Sequence, residues 1–343
     1  MIALNSLEFI GRGLHRPECV LAHRSGLLFT PDWRGRGGVA VTTRTGVSRL
    51  IEAADVQTPL RPNGIALAPG GKFLLAHLGS EQGGVFALAP DGATEPVVTE
   101  INGEPMPPTN FVLLELDGRM WITVSTRRVP RQAAYRSDIA DGFIALMDRG
   151  RCRIVADDLG YANECAIDPF AKCLYVNETF ARRVTAFDVS DDGSLRGRRT
   201  VAELGPGNYP DGLALDAEGG LWITSIISNR VMRIGPDGET KTFIEDVDPA
   251  HLDWTEAAYA SHGLGRPHLD TPGGCRLRNI SNLAFGGPGL RTAFLGCLLG
   301  DAIASFLSPH AGRQPPHWDA DLGPLQHLVD ADSSHGASGE RYK

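Results

Sequence analysis

One arrangement of polar and apolar residues recurs six times along the chain. Each copy has a carboxylate or amide residue followed by an apolar run, a turn and a second apolar run. The carboxylate or amide positions are Glu18, Asn63, Asn110, Asn163, Asp211 and Asn282. Consecutive positions lie 45, 47, 53, 48 and 71 residues apart. Repeats of this length are typical of propeller blades or solenoid units.

Short strands and tight turns complete each repeat. Asp-Gly pairs at 91–92, 117–118, 192–193 and 237–238 favour the turns of β-hairpins. Three or four strands per unit, six times over, predict an all-β fold, a six-bladed β-propeller. We expect one propeller domain over residues 1–324 and a disordered tail over 325–343. A strand within residues 2–10 closes either the first or the last blade.

Two intervals between copies exceed the length of a blade, which predicts two insertions. The longer lies within 246–279, where residues 248–259 have the pattern of a capped helix. The shorter lies near 127–141 and holds Arg127 and Arg128, which either recognise an acidic group of a substrate or belong to a solvated basic loop. We expect both insertions to rise over one face as lids, and solvated loops without a role are the alternative.

The innermost strand of each propeller blade lines the central channel, so the six polar residues predict a ring around its axis. No Lys or Arg belongs to this ring, and its two carboxylates and four amides form an oxygen-rich set. Such donors suit a hard divalent cation, calcium first, with zinc, manganese or iron as alternatives. The simpler interpretation is that these Asn and Asp residues only begin turns.

Charge and hydropathy exclude several classes of partner. Lys and Arg number 33 against 41 Asp and Glu, and the net charge of −8 argues against nucleic-acid binding. No apolar run approaches the roughly 20 residues of a membrane span, and the start lacks a secretory signal. We therefore expect a cytoplasmic protein with a small-molecule substrate, no membrane partner and an open oligomeric state. The six cysteines form no Cys-x-x-Cys pair, which predicts free thiols.

The repeats resemble the regucalcin, gluconolactonase and strictosidine-synthase-like family of six-bladed propellers, with paraoxonase and diisopropyl-fluorophosphatase as distant relatives. The resemblance extends from residue 16 to residue 288 and is strongest over 209–216 and 220–224. It implies a metal-dependent hydrolase of carboxylic esters, a lactonase.

The resemblance also implies roles for individual residues. Glu18, Asn163 and Asp211 correspond to the family's metal ligands, and Asn110 to a residue that assists the metal, its water or the substrate. Asp211 and Asn110 are thus the candidate catalytic residues. Asn63 and Asn282 complete the ring as further substrate contacts.

This chain departs from the sugar-lactone hydrolases of the family. These tend to carry Arg two residues before the blade-three asparagine and Asp directly after it, where this chain has Pro108 and Phe111. Together with Met106, these residues predict an apolar wall and a lactone or ester less polar than a sugar lactone. The residue after Asn163 is Glu164 instead of glycine, and we expect it to turn away from the axis or to be a new feature.

The predicted mechanism is hydrolysis with a metal ion as Lewis acid and Asp211 as general base. A histidine is a second route for the proton. The available histidines are His15, His77, His251, His262 and His268. Two alternatives are enzymatic: hydrolysis of phosphotriesters or other esters, and a condensation that does not use the metal. The third is a non-enzymatic propeller that binds a partner, with a metal ion that only plugs the channel.

Overall fold

Six four-stranded antiparallel sheets form the body of the molecule, and the predicted six-bladed propeller is confirmed. The computed structural model describes residues 1–330. The strands of blades one to three are Leu21–Ala22, Leu28–Asp32, Gly38–Thr42 and Ser48–Glu52; Pro62–Ala68, Lys72–His77, Val85–Leu88 and Thr94–Val98; Phe111–Leu114, Met120–Val124, Gly142–Asp148 and Arg151–Leu159. Those of blades four to six are Ala162–Asp168, Cys173–Glu178, Arg183–Val189 and Leu195–Glu203; Tyr209–Leu215, Leu221–Ile226, Arg230–Ile234 and Thr240–Glu245; Ile280–Gly286, Thr292–Cys297, Ile303–Leu307 and Glu8–Ile10. A short hairpin pairs Glu100–Ile101 with Glu104–Pro105.

The first strand listed for each blade lines a central channel. The inner strand Tyr209–Leu215 of blade five, for example, contacts the inner strands of blades four and six. We call the end of the channel where these strands begin the upper end, and the end where they finish the lower end. The repeated polar residues therefore belong to the upper half of the channel.

Burial explains why most residues of the middle strands are apolar. Gly38–Thr42 and Met120–Val124 are buried at every position, because neighbouring blades cover both faces of each sheet. Trp121 and Trp222 are fully buried between blades. The outermost strand of blade four, Leu195–Glu203, has no buried residue because its edge faces solvent.

The amino-terminal strand closes the ring in the last blade. Glu8–Ile10 pairs antiparallel with Ile303–Leu307, with Phe9 opposite Ala304. Blade six thus contains three strands from the carboxyl-terminal part of the chain and one from the amino-terminal part. This pairing links the first blade to the last and closes the ring. This settles which of the two blades the amino-terminal strand completes.

Both insertions contain helical turns. The longer forms α1, Pro249–Ala260, and α2, Arg266–Leu269. The side chain of Asp248 accepts hydrogen bonds from the N–H groups of Ala250 and His251 at 3.0 and 3.4 Å, so it caps α1 as predicted. The shorter insertion contains a 3₁₀ turn, Arg131–Ala134.

The carboxyl-terminal segment crosses the lower end of the channel. Arg313 Nη1 lies 2.6 Å from Asp168 Oδ1 in blade four, and the carbonyl of Trp318 accepts from Arg24 N–H of blade one at 3.2 Å. Leu325 and Leu328, which we assigned to a disordered tail, are buried against the core. The rest of the expected tail, 331–343, lies outside the described residues.

No helix within residues 1–330 combines the length and apolar character needed to cross a membrane. All six cysteines are free thiols, as predicted. Four of them are buried, Cys152 is half-buried and Cys275 is exposed.

Candidate active site

The six repeated polar residues lie at the upper ends of the inner strands, and their exposed fractions are only 3 to 6%. In four blades a β-bulge shifts the pairing of the first two strands at this position. The shifts fall between Pro62 and Ile65, Ala162 and Cys165, Pro210 and Leu213, and Ile280 and Asn282. A bulge sets an extra residue against the partner strand and redirects a side chain. These bulges give the polar side chains their place in the channel wall.

Hydrogen bonds orient the side-chain amide of Asn163. Its Nδ2 donates to Thr179 Oγ1 at 3.0 Å, and that hydroxyl donates to the carbonyl of Pro210 at 2.8 Å. Because a hydroxyl has one proton, Thr179 must accept from the amide nitrogen. The carbonyl oxygen of the Asn163 amide therefore lies on the opposite side, toward the channel.

Asn63 and Asn110 are joined along the channel wall. Asn63 Nδ2 donates to the backbone carbonyl of Asn110 at 3.1 Å and to its Oδ1 at 2.9 Å. Asn110 Nδ2 donates to Ser125 Oγ at 2.7 Å. Among the described residues, Asn63 Oδ1 is buried without a hydrogen-bond partner. It is therefore an oxygen available to a ligand.

Glu18 and Asp211 are the carboxylates of the upper channel. Arg16 Nη2 lies 3.1 Å from Glu18 Oε2, yet this oxygen has no well-directed hydrogen bond from any described residue. Burial and the charges of Glu18 and Glu164 raise the pKa of Asp211 well above its usual range. Arg16 and Arg131 oppose this rise in the pKa. A further cation would favour the ionised form of Asp211.

Asn282 is engaged with Glu164, so the six residues do not converge on a single point. Asn282 Nδ2 donates to the two Glu164 oxygens at 2.9 and 3.0 Å, and its Oδ1 accepts from Val20 N–H at 2.8 Å. Glu164 also accepts from Leu213 N–H at 3.0 Å. Burial raises the pKa of Glu164 to about 8. Of our two expectations for Glu164, the structure supports the second, a new acidic feature inside the channel.

Two arginines that were not predicted from the sequence, Arg16 and Arg131, lie at the ring. Arg131 Nη2 donates to Ser125 Oγ at 3.1 Å, and its guanidinium lies 5.3 Å from the ring centroid of Tyr161. Arg16 and Tyr161 each stand two residues before a ring residue and have positive φ angles of 59° and 71°. Such angles are uncommon outside glycine and concentrate at functional sites. The adjacency of Arg16 to Glu18 was a usable signal, whereas nothing in the sequence distinguished Arg131.

An aromatic cluster covers the upper end of the channel, and we call it the roof. Tyr135, Tyr161 and Phe180 pack with ring centroids 4.7 to 5.4 Å apart. Leu264 and Leu269 of the longer insertion belong to the same cluster. The two insertions therefore meet over the ring, and their action as lids stays a prediction.

Met106 and Phe111, expected in an apolar wall of the substrate site, lie elsewhere. Met106 is fully buried in the core between blades two and three. Phe111 packs against the backbone of Gly64 and borders the cavity in the lower half of the channel, and the alternation of side chains along its strand places it on the face opposite Asn110. Within residues 1–330, neither side chain thus forms an apolar wall beside the ring, and the preference for a less polar substrate stays a prediction without this support.

A cavity of about 560 Å³ occupies the lower half of the channel. Its walls include Leu113, Ile167 and Leu215, Glu164 contributes a polar group, and the carboxyl-terminal segment around His317 lies across it. This lower cavity does not border Glu18, Asn163 or Asp211. Of the six ring residues, all of which the structure describes, Asn282 alone borders it, so the cavity is separate from the candidate metal ligands.

The upper oxygens fit a hard divalent cation by their chemistry. Glu18 Oε2 and Asn63 Oδ1 lack hydrogen-bond partners among residues 1–330, and burial, together with the charges of Glu18 and Glu164, raises the pKa of Asp211. The described part of the chain contains no metal-binding group of three His, Cys, Asp or Glu side chains. A cation here would therefore need amide oxygens beside the two carboxylates.

Three of the candidate histidines make hydrogen-bond or ring contacts with neighbouring residues of the fold. His77 Nδ1 accepts from Arg61 N–H at 2.9 Å, and burial lowers the pKa of His77 to about 4. The rings of His251 and His268 pack on Trp254, with centroids 5.6 and 4.0 Å apart. These contacts account for the three side chains without a catalytic role.

Comparison with known proteins identifies the family. Residues 16–246 match the family described as SMP-30/gluconolactonase/LRE-like region, and the chain belongs to this family. A 6-deoxy-6-sulfogluconolactonase of Pseudomonas putida is 30% identical over 91 residues, 26% of this chain and 31% of that protein. The match thus spans about a third of this curated relative.

Solved structures share the fold. A gluconolactonase from Xanthomonas campestris superposes with a TM-score of 0.65 at 20% identity, covering 88% of this chain and 89% of that one. The calcium-binding protein regucalcin of Agrobacterium tumefaciens gives 0.61 at 15% identity, covering 92% and 97%. At these identities the likeness establishes the propeller alone.

Proposed function

We propose that this protein is a lactonase that opens a cyclic ester with the help of one divalent metal ion, calcium first. The observation that carries the proposal is the group of buried oxygens at the upper end of the channel, in a chain that belongs to a family with lactonases among its members. Glu18, Asn163 and Asp211 would hold the ion. A bound ion would supply Lewis-acid stabilisation of the negative charge that develops on the carbonyl oxygen.

The chain's own residues would divide the remaining work. Asp211 would accept a proton from the attacking water in its ionised form, which a bound divalent ion would favour against the burial and the charges of Glu18 and Glu164 that raise its pKa. Asn163, oriented by Thr179, would present its oxygen to the ion. Asn110, held by Asn63 and Ser125, would position the water or the substrate.

The reaction is a simple hydrolysis. Water adds to the lactone carbonyl carbon, the bond from that carbon to the ring oxygen breaks, and the product is a hydroxy acid. The roof, an apolar cluster, would exclude bulk water from the ring while the substrate is bound and would thereby strengthen the electrostatic interactions within the site.

The test is hydrolysis of aliphatic, aromatic and sugar lactones, with a phosphotriester for comparison, by protein stripped of metal and then supplied with calcium, zinc, manganese or iron. The proposal predicts lactone turnover that appears only when a metal is restored. Turnover of the phosphotriester alone, or of no ester under any condition, would overturn it.

A further inference from the structure

We propose that Arg131 binds a carboxylate carried by the substrate beside its lactone ring. This inference rests on the proposed function and names its substrate class, lactones that bear an anionic group. It assigns the blade-three insertion a role in specificity, with Arg131 as the residue that selects the charged substrate.

The position of Arg131 is the first step. It belongs to the 3₁₀ turn Arg131–Ala134 of the insertion, and its Nη2 reaches Ser125 Oγ, the same oxygen that accepts from Asn110. One hydroxyl thus links the insertion to the ring. Arg131 Nε is buried and has no hydrogen-bond partner among the described residues. A buried N–H without a partner is unfavourable unless a ligand satisfies it.

The surroundings favour a bound anion as that ligand. Glu18 and, when ionised, Asp211 and Glu164 supply at most three negative charges, and Arg16 and Arg131 supply two positive charges. With a divalent ion also present, positive charge exceeds negative charge before a substrate enters. A substrate carboxylate offsets this excess, whereas a neutral lactone leaves it uncompensated in a site of low dielectric.

The geometry of a guanidinium selects a carboxylate in particular. Its planar fork of N–H groups matches the two oxygens of a carboxylate and forms two parallel hydrogen bonds. Arg16 Nε, on the side chain whose Nη2 lies 3.1 Å from Glu18, is likewise buried without a hydrogen-bond partner among residues 1–330. The upper channel therefore contains two guanidinium groups with unused donors.

Other arginines of the same insertion lack these properties. Arg127 Nη1 pairs with Asp157 at 2.7 Å, and Arg128 Nε lies 3.4 Å from Asp141, both at the surface. Their exposed side-chain fractions are 38% and 48%. Recognition of an acidic substrate group, one of the two interpretations of Arg127 and Arg128 in the sequence, is thus better assigned to Arg131. Arg128 provides a matched control.

The experiment compares two substrates that differ by one group: γ-butyrolactone and the same ring with a carboxylate on the carbon beside the ring oxygen. We expect wild-type kcat/KM to favour the carboxylate-bearing lactone. Arg131→Gln should lower the ratio of kcat/KM for the carboxylate-bearing lactone to kcat/KM for γ-butyrolactone about 50-fold, by the usual contribution of a charged hydrogen bond. Arg131→Lys should retain part of the preference, and Arg128→Gln should retain all of it.

Several results would overturn the inference. One is an equal fall in kcat/KM for both lactones in folded Arg131→Gln and Arg131→Lys. Another is a wild type that hydrolyses both lactones with the same kcat/KM. The third is loss of the preference for the carboxylate-bearing lactone in Arg128→Gln. Calorimetric binding of the carboxylate-bearing lactone separates the two proposals. If wild type binds it but hydrolyses no lactone, the proposed function fails, and lost binding in Arg131→Gln still supports the inference. Absence of binding in wild type contradicts the inference itself.

Discussion

The hydroxyl of Thr179 determines which atom of the Asn163 amide faces the channel. It accepts from Asn163 Nδ2 at 3.0 Å while donating to the carbonyl of Pro210 at 2.8 Å. Thr179, which does not belong to the ring, thus orients the Asn163 amide so that its oxygen faces the channel. Such supporting contacts orient metal ligands in proteins generally.

Replacement of this hydroxyl tests its effect on metal binding. Thr179→Val removes the acceptor, so the Asn163 amide can rotate, and we expect calcium affinity to fall about tenfold or more. Thr179→Ser keeps the hydroxyl and should bind calcium as the wild type does. Isothermal titration of both variants measures the difference, and equal affinities would contradict the role of Thr179.

Asp211→Asn tests the proton acceptor. The amide has the same shape but cannot take a proton from water, so we expect an intact fold and a fall in kcat of about 100-fold or more. Circular dichroism checks the fold and initial rates check kcat. Retention of the wild-type rate would rule out this role for Asp211.

Glu164 makes the protein less stable as pH rises. Its pKa is raised to about 8 in the folded state, so the folded protein binds more protons than the unfolded chain between about pH 5 and 8. The free energy of unfolding should therefore decline across this window, by a few kcal/mol at most. In metal-stripped protein, urea unfolding of Glu164→Gln should show a flatter decline than the wild type. The exposed Glu95→Gln serves as control, and parallel declines in wild type and Glu164→Gln would contradict the prediction.

The longer insertion is anchored by an ion pair. Arg182 Nη2 lies 2.7 Å from Glu256 Oε1 of α1, and its guanidinium lies 3.8 Å from the ring centroid of Tyr259. We expect Arg182→Met to lower the free energy of unfolding by about 2 kcal/mol and to speed proteolysis within α1. Arg199→Met, which removes an exposed pair with Asp188, should change both little. Equal protease sensitivity of the two variants would contradict the anchoring role.

Local patterns predicted the blades and the capped helix. Each blade repeats its own alternation of strand and turn, and Asp248 and Pro249 mark the start of α1 by residue type alone. The blades and the helix depend on neighbours in the sequence, so a single chain suffices to find them. The family resemblance pointed to Glu18, Asn163 and Asp211 as metal ligands, and this assignment stays a prediction.

Features that depend on distant contacts could not be predicted. The three-residue strand Glu8–Ile10 has no pattern that identifies Ile303–Leu307 as its partner. Arg131 resembles Arg127 and Arg128 in sequence, and only the fold of the insertion brings it to Ser125 while the other two stay at the surface. Met106 was assigned to the site by nearness to Asn110 in sequence, although it packs into the core.

The central claim is that the upper-channel oxygens hold a metal ion that opens lactones. The most direct measurement is the initial rate of lactone hydrolysis as calcium is returned to metal-stripped wild type and to Glu18→Gln. The account predicts that the wild-type rate rises to saturation, whereas Glu18→Gln, which keeps the shape but loses the charged ligand, stays near the uncatalysed rate. Full turnover by metal-stripped wild type, or an unchanged calcium response in Glu18→Gln, would contradict it.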